Sequence, residues 1–182
     1  MIRVIGIYGK ARSGKTTARK YLEKYNCTPV SFADPLKNAL RELFGIPTTE
    51  LYSDQKTDRT RWMLQFFGTD CCRHIEPLIW VRKTSEKIQE LQDEGSKLVV
   101  VDDVRFINEA VMLKNVWNAT IVKLVGAQDL VTNEEHKQHV SETQMDNLPD
   151  SYYDAVYRNT GTIAELHGFM ESVYLMSQEP TA

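Results

Sequence analysis

Residues Gly9-Lys10-Ala11-Arg12-Ser13-Gly14-Lys15-Thr16 satisfy the pattern G-x-x-x-x-G-K-[ST] without a mismatch. The run before them, residues 2–8, is apolar and β-branched, broken only by Arg3 and Gly6, and reads as a strand buried on both faces. Residues 16–25 read as a helix. A buried strand entering a helix through such a loop leaves successive backbone N–H groups and the positive end of the helix facing one point, which suits a phosphate. Lys15 can reach β and γ phosphates, and the Thr16 hydroxyl can enter a magnesium shell. The spacing therefore points to a nucleoside triphosphate and not to what becomes of it. Gly6, Gly9 and Gly14 are wrongly spaced for a nicotinamide fingerprint, and the N-K-x-D of guanine-reading GTPases is absent. Arg12 adds a charge inside the loop, with contact to a transferred phosphate and a solvated orientation both open.

The rest of the chain alternates in the same way. Short β-rich runs at 29–32, 97–101, 119–125 and 155–157 are separated by helical patterns. Asp34 before Pro35 reads as an N-cap with proline at the first helical position, in a helix carrying Leu36, Ala39, Leu40 and Leu43 on one side. Residues 57–67 predict a helix with Trp62, Met63 and Phe66 facing inward, broken by Gly68-Thr69-Asp70. Residues 81–94, 108–115 and 162–177 predict further helices, the last buried along Ile163, Leu166, Met170, Val173 and Tyr174. The expectation is an α/β fold, a doubly wound parallel sheet of about five strands with helices on both faces. It forms a single domain over 1–182, with an insertion at about 46–79 and a polar, lid-like excursion at about 126–150.

Ligands of such sheets bind beyond the carboxyl ends of the strands. The run 97–101 ends in Asp102-Asp103, where a magnesium-organising carboxylate belongs. Adjacent acids point in different directions, so one can serve the metal, partly through water, while the other holds an arginine; Asp102 is narrowly favoured for the metal. Arg105, two residues on, offers a planar fork suited to a phosphate. Asp34, Lys37 and Arg41 stand at the end of the second strand. In the 59–73 segment Gln65 is the amide best suited to reading a base edge, and Arg59, Arg61 and Arg73 supply charge. His136 and His139, beside Glu135 and Glu142, lack a third well-spaced ligand for zinc.

Charge and cysteine usage narrow the class. Residues 1–42 carry nine basic and three acidic side chains, while residues 124–182 carry two and ten, and the formal net charge is −3. A general grip on nucleic acid polymers or anionic membranes would need a basic surplus. Cys27, Cys71 and Cys72 form neither a disulfide framework nor a cysteine zinc site. The first residues lack the apolar stretch of a signal peptide and nothing reaches a membrane span, so a cytoplasmic location is the expectation.

Several blocks in order resemble the phage-type deoxynucleoside monophosphate kinases, in the adenylate-kinase-like branch of P-loop kinases. They are the 9–16 loop, Ser31-Phe32-Ala33-Asp34-Pro35-Leu36-Lys37, Leu64-Gln65-Phe66-Phe67-Gly68-Thr69, Arg73, Trp80-Val81, Asp103-Val104-Arg105-Phe106-Ile107-Asn108-Glu109-Ala110, Ser141-Glu142 and Asn159-Thr160-Gly161-Thr162. The resemblance implies strand order 2-3-1-4-5 and transfer of the ATP γ-phosphoryl group to a deoxynucleoside monophosphate, with Mg²⁺ as cofactor. It casts Asp34, Lys37, Gln65, Arg73 and Arg105 as the acceptor side, and the loop, Thr17, Gly161 and Thr162 as the ATP side. Lys15, Arg12, Arg73 and Arg105 would carry catalysis, and a homodimer is implied. The lids of adenylate kinases supply several arginines, whereas residues 124–157 here hold only Lys137. Closure then falls to Arg12 and the 59–73 arginines, or to another segment or subunit. Two other readings stay open: a different small-molecule P-loop kinase, such as one acting on dephospho-coenzyme A, and a nucleotide-switched ATPase that binds a macromolecule.

Overall fold

In the computed structural model, residues 1–53, 56–126 and 144–178 are described. Five parallel strands, β1 (Arg3–Tyr8), β2 (Thr28–Val30), β3 (Leu98–Val104), β4 (Thr120–Gly126) and β5 (Ala155–Asn159), form one sheet in the order β2-β3-β1-β4-β5. The expected topology is therefore present. The helices are α1 (Lys15–Leu22), α2 (Asp34–Phe44), α3 (Thr48–Leu51), α4 (Asp58–Gln65), α5 (Cys72–Ile75), α6 (Ile79–Asp93), α7 (Ile107–Trp117) and α8 (Ile163–Met176).

Strand residues alternate between two apolar layers, as a two-residue period demands. Ile2, Val4, Val99, Val101 and Ile121 pack with Ile88 and Leu91 of α6 and Leu113 of α7. Ile5, Ile7, Val100, Val122 and Leu124 pack with Ala18 and Leu22 of α1 and Leu166, Met170 and Val173 of α8. Deleting a side chain such as Leu113, fully buried, would cost about 2–5 kcal/mol. A satellite core of Leu36, Leu40, Ile46, Leu51, Met63 and Trp80 holds α2, α3 and α4 to the start of α6.

Local readings fail at four places. Trp62 and Phe66 face outward, 57% and 38% exposed, with their rings stacked on each other at 5.2 Å. One turn apart, they satisfy each other, while Met63 takes the buried position. Gly68 does not break the helix: the chain widens into a π-helical segment, Phe66–Cys71, that continues into α5. A side chain there would meet Leu36 Cδ2 at 2.7 Å, and the Gly68 carbonyl accepts from the Trp80 indole at 2.8 Å. Glycine is needed for close packing, not for a stop. Leu43 and Ile163, expected on buried faces, are exposed. Finally, β3 does not end at Asp102 but runs to Val104. Between Gly6 and Tyr8 of β1, β3 advances from Val101 to Val104, so its register carries one extra residue at the acids.

Candidate active site

The phosphate loop leaves β1 at the centre of the sheet. Gly14 is the N-cap of α1 at φ 100, left-handed backbone that favours glycine. A side chain there would come within 2.4 Å of the Asn159 amide. That amide donates to the Ser13 carbonyl at 3.0 Å, bolting the end of β5 to the loop. Arg12 is also left-handed, at φ 65, and is exposed. Ser13 is buried, with an Oγ that has no hydrogen-bond partner. Lys15 is not held out into solvent. Its ammonium donates to the carbonyls of Gly9 at 2.5 Å and Lys10 at 2.7 Å, folded back across the loop. Lys10, Ala11, Thr16 and Thr17 complete the segment, with Ala11 and Thr16 exposed.

The two acids of β3 have separate employment. Asp102 Oδ2 accepts from Arg19 of α1 at 3.1 Å. Burial pushes the Asp102 carboxyl up, Asp103 adds to this, and Arg19 opposes it. Asp103 reaches the other way. Its Oδ1 accepts from the Phe32 N–H at 2.9 Å, and its Oδ2 from the Ser31 hydroxyl at 2.5 Å and the Ala33 N–H at 3.1 Å. It thereby organises the turn into α2, so the expected capping by Asp34 does not occur: Ala33 is the N-cap residue and Asp34 is already helical. The Asp34 carboxylate instead accepts from the Tyr52 hydroxyl at 2.9 Å and lies 3.9 Å from Lys37 Nζ. Lys37 Nζ is 4.1 Å from the centre of the Tyr52 ring. Burial raises the Asp34 carboxyl, offset by Tyr52 and Lys37, and burial with Asp34 beside it raises the Tyr52 phenol to about 12.

Arg73 and Arg105 come together through a third residue. Glu109, 1% exposed at the start of α7, accepts from the backbone N–H groups of Arg105 at 2.7 Å and Phe106 at 3.0 Å. It also accepts from Arg73 Nη2. The Arg73 guanidinium lies 3.8 Å from the centre of the Phe106 ring. The Arg105 side chain is exposed. Arg73, Phe106 and Asn108 line a cleft of about 1030 Å³ between α5, α6 and α7. Gln65, exposed at the end of α4, is not among its lining residues. Thr162 caps α8, its Oγ1 accepting from the Glu165 N–H at 3.3 Å, with Gly161 beside it.

Sequence reasoning passed over Glu109, Tyr52 and Arg19. Glu109 had a signal: a lone carboxylate beside Ala110, Met112 and Leu113 on a core-facing helix is costly unless paired. Tyr52 and Arg19 had none. His136, His139, Lys137, Ser141 and Glu142, and most of the 126–150 excursion, lie outside the described residues. Among the described residues no group of three or more His, Cys, Asp or Glu could hold a metal, and no helix is long and apolar enough to cross a membrane.

Residues 46–169 match the family model for deoxynucleotide monophosphate kinase. A protein of Acanthamoeba polyphaga mimivirus assigned to deoxynucleotide monophosphate kinases is 32% identical over 190 residues, covering 90% of this chain and 92% of its own length. The dephospho-CoA kinase of Lactobacillus acidophilus is 27% identical, covering 98% and 99%. Among solved structures, TT1252 from Thermus thermophilus superposes with a TM-score of 0.53 at 18% identity, covering 98% of this chain and 99% of that one. That likeness concerns the fold.

Proposed function

The chain belongs to the deoxynucleotide monophosphate kinase family, and on that premise we propose that it transfers the γ-phosphoryl group of ATP to a deoxynucleoside 5′-monophosphate, giving the diphosphate and ADP. That it is a small-molecule P-loop kinase follows from the family and the fold together. The observation that carries the finer reading is the pairing of β1 with β3. It sets the phosphate loop beside Arg105, while Glu109 links the backbone at Arg105 to Arg73.

Phosphoryl transfer asks for alignment and for positive charge around three equatorial oxygens. On the donor side, the loop N–H groups and the end of α1 bind phosphate, and Lys15 exchanges the carbonyls of Gly9 and Lys10 for β and γ oxygens. Arg12, Thr17, Gly161 and Thr162 border the same nucleotide. The residues also fit magnesium, since the Thr16 hydroxyl and Asp102 carboxylate are hard oxygen donors. Asp103 fits it less well, both its oxygens being engaged by the turn at 31–33. Held there, magnesium would supply Lewis-acid neutralisation of the charge that gathers on the transferred phosphoryl group.

On the acceptor side, Arg105 and Arg73 hold the monophosphate in line, and Asp34 faces the same substrate with Lys37 drawing in its phosphate. Gln65 reads the base from the 46–79 insertion. The acceptor phosphate loses its second proton near pH 6, so no general base is needed. Water must be kept from the γ-phosphoryl group, and closure of the 46–75 segment over the site would exclude it.

A second reading has a specific observation behind it: the 27% identity to a dephospho-CoA kinase spans nearly both chains. One experiment separates the two. Purified protein with Mg-ATP is offered every nucleoside and deoxynucleoside monophosphate and dephospho-coenzyme A, and phosphoryl transfer is followed directly. Transfer to one or more deoxynucleoside monophosphates is expected. Transfer to dephospho-coenzyme A alone would establish the second reading. ATP turnover indifferent to every acceptor would point to a nucleotide-switched ATPase.

A further inference from the structure

We propose that Glu109 is a positioning residue for the acceptor side: from its buried place at the start of α7 it fixes the Arg73 guanidinium against the Phe106 ring and so sets acceptor affinity. This rests on the reading of Arg73 as an acceptor-phosphate ligand.

The geometry is that of a clamp. One edge of the guanidinium is taken by the Glu109 carboxylate and one face by Phe106. The side chain is left only 11% exposed, and its Nη1 is buried without a hydrogen-bond partner. A long, flexible side chain is thus ordered before any ligand arrives, with donor capacity unspent. An arginine immobilised beforehand does not lose that rotamer freedom on binding. Arg73 belongs to α5, beyond the satellite core, whereas Glu109 is anchored on the main sheet layer through the backbone at Arg105 and Phe106. The carboxylate therefore sets the distance between two proposed phosphate ligands that come from different elements.

The competing account is that Glu109 only caps α7 through those two backbone bonds. Glu109→Gln separates the accounts, because an amide oxygen still accepts from backbone N–H but offers no negative charge to Arg73. Acceptor KM, kcat, ATP affinity by calorimetry and melting are measured for wild type, Glu109→Gln, Arg73→Ala and the double variant.

Expected are an acceptor KM raised by about three- to tenfold in Glu109→Gln, ATP affinity unchanged, and a double variant no worse than Arg73→Ala. An unchanged acceptor KM in Glu109→Gln, with or without a lower melting point, overturns the proposal and leaves the Arg73 reading standing if Arg73→Ala still raises KM. A normal KM in Arg73→Ala removes both. A double variant clearly worse than Arg73→Ala shows that Glu109 acts by another route and also overturns it.

Should Glu109→Gln not fold, wild type and Arg73→Ala still decide. The charged groups facing Glu109 are Arg73 from α5 and Asp103 from β3. Protonating Glu109 below about pH 7 releases Arg73, so acceptor KM rises more on acidification in wild type than in Arg73→Ala, the acceptor's own ionisation being common to both. Parallel profiles overturn the proposal.

Discussion

The side-chain amide of Asn159, at the end of the edge strand β5, donates to the carbonyl of Ser13 inside the phosphate loop at 3.0 Å. The loop is thus held from β1, which it leaves, and from a strand beyond β4, and its shape does not rest on its own glycines alone. Asn159→Ala should leave the fold intact. It removes a bond of about 0.5–1.5 kcal/mol, part of which reappears as ATP affinity lowered by a few-fold in calorimetric titration. Unchanged ATP affinity would show that the bond serves only the strand end.

Lys15→Ala should abolish most transfer, by roughly two to three orders of magnitude, since its charge is needed where negative charge gathers. Because the ammonium rests on the Gly9 and Lys10 carbonyls in the free protein, melting should also fall slightly, by no more than about 1 kcal/mol of stability. Stopped-assay transfer rates and thermal melts test both halves. Near-normal turnover would remove the donor-site assignment.

For Arg105→Ala, the expected pattern is a higher acceptor KM with a lower kcat and little change in ATP binding. Its side chain is exposed at the end of the strand next to β1. Separate titrations with each nucleotide decide; equal loss of ATP affinity would move Arg105 to the donor side.

Gln65→Leu is expected to flatten the ranking among deoxynucleoside monophosphates while retaining transfer to at least one. An amide left unpaired on burial by substrate costs about 1–3 kcal/mol, and leucine has no such preference. Gln65 is exposed in the free protein, so this selection depends on closure. Specificity constants over the acceptor panel are the measurement. An unchanged ranking with normal rates takes Gln65 out of the site.

Glu109 also predicts a pH dependence of stability. Burial, opposed by Arg73, pushes its carboxyl up from 4.5 to about 7. The folded chain therefore binds this proton more tightly than the unfolded one. The contribution is fully present below the unfolded value and is lost as pH rises through about 7. Relative to Glu109→Gln, which cannot titrate, wild-type melting should decline between pH 5 and pH 8. A difference that grows with pH would contradict the assignment. Stability and acceptor grip then respond to acid in opposite directions, because the protonated side chain is cheaper to bury and holds Arg73 less well.

Much of the architecture was legible because its causes are local. The phosphate loop needs a left-handed Gly14 and a helix starting at once, requirements met within eight residues of sequence. The strands declare themselves by apolar runs whose alternate residues, such as Val4 and Ile5, enter opposite layers. Adjacent acids at the end of β3 point to different partners for the same reason. The strand order itself came from resemblance, since short parallel strands carry no local mark of which neighbour they choose. What only the tertiary structure decided are pairings between distant positions: Arg73 with Glu109, Tyr52 with Asp34, Asp103 with the turn at 31–33, Asn159 with Ser13. Each joins two elements whose approach is set by packing of the layers, and a polar side chain in an isolated segment has no way to register it. Trp62 and Phe66 mark the same limit from the apolar side. Their helical spacing fits a buried stripe, but burial needs an opposing surface, and the satellite core had already closed around Met63.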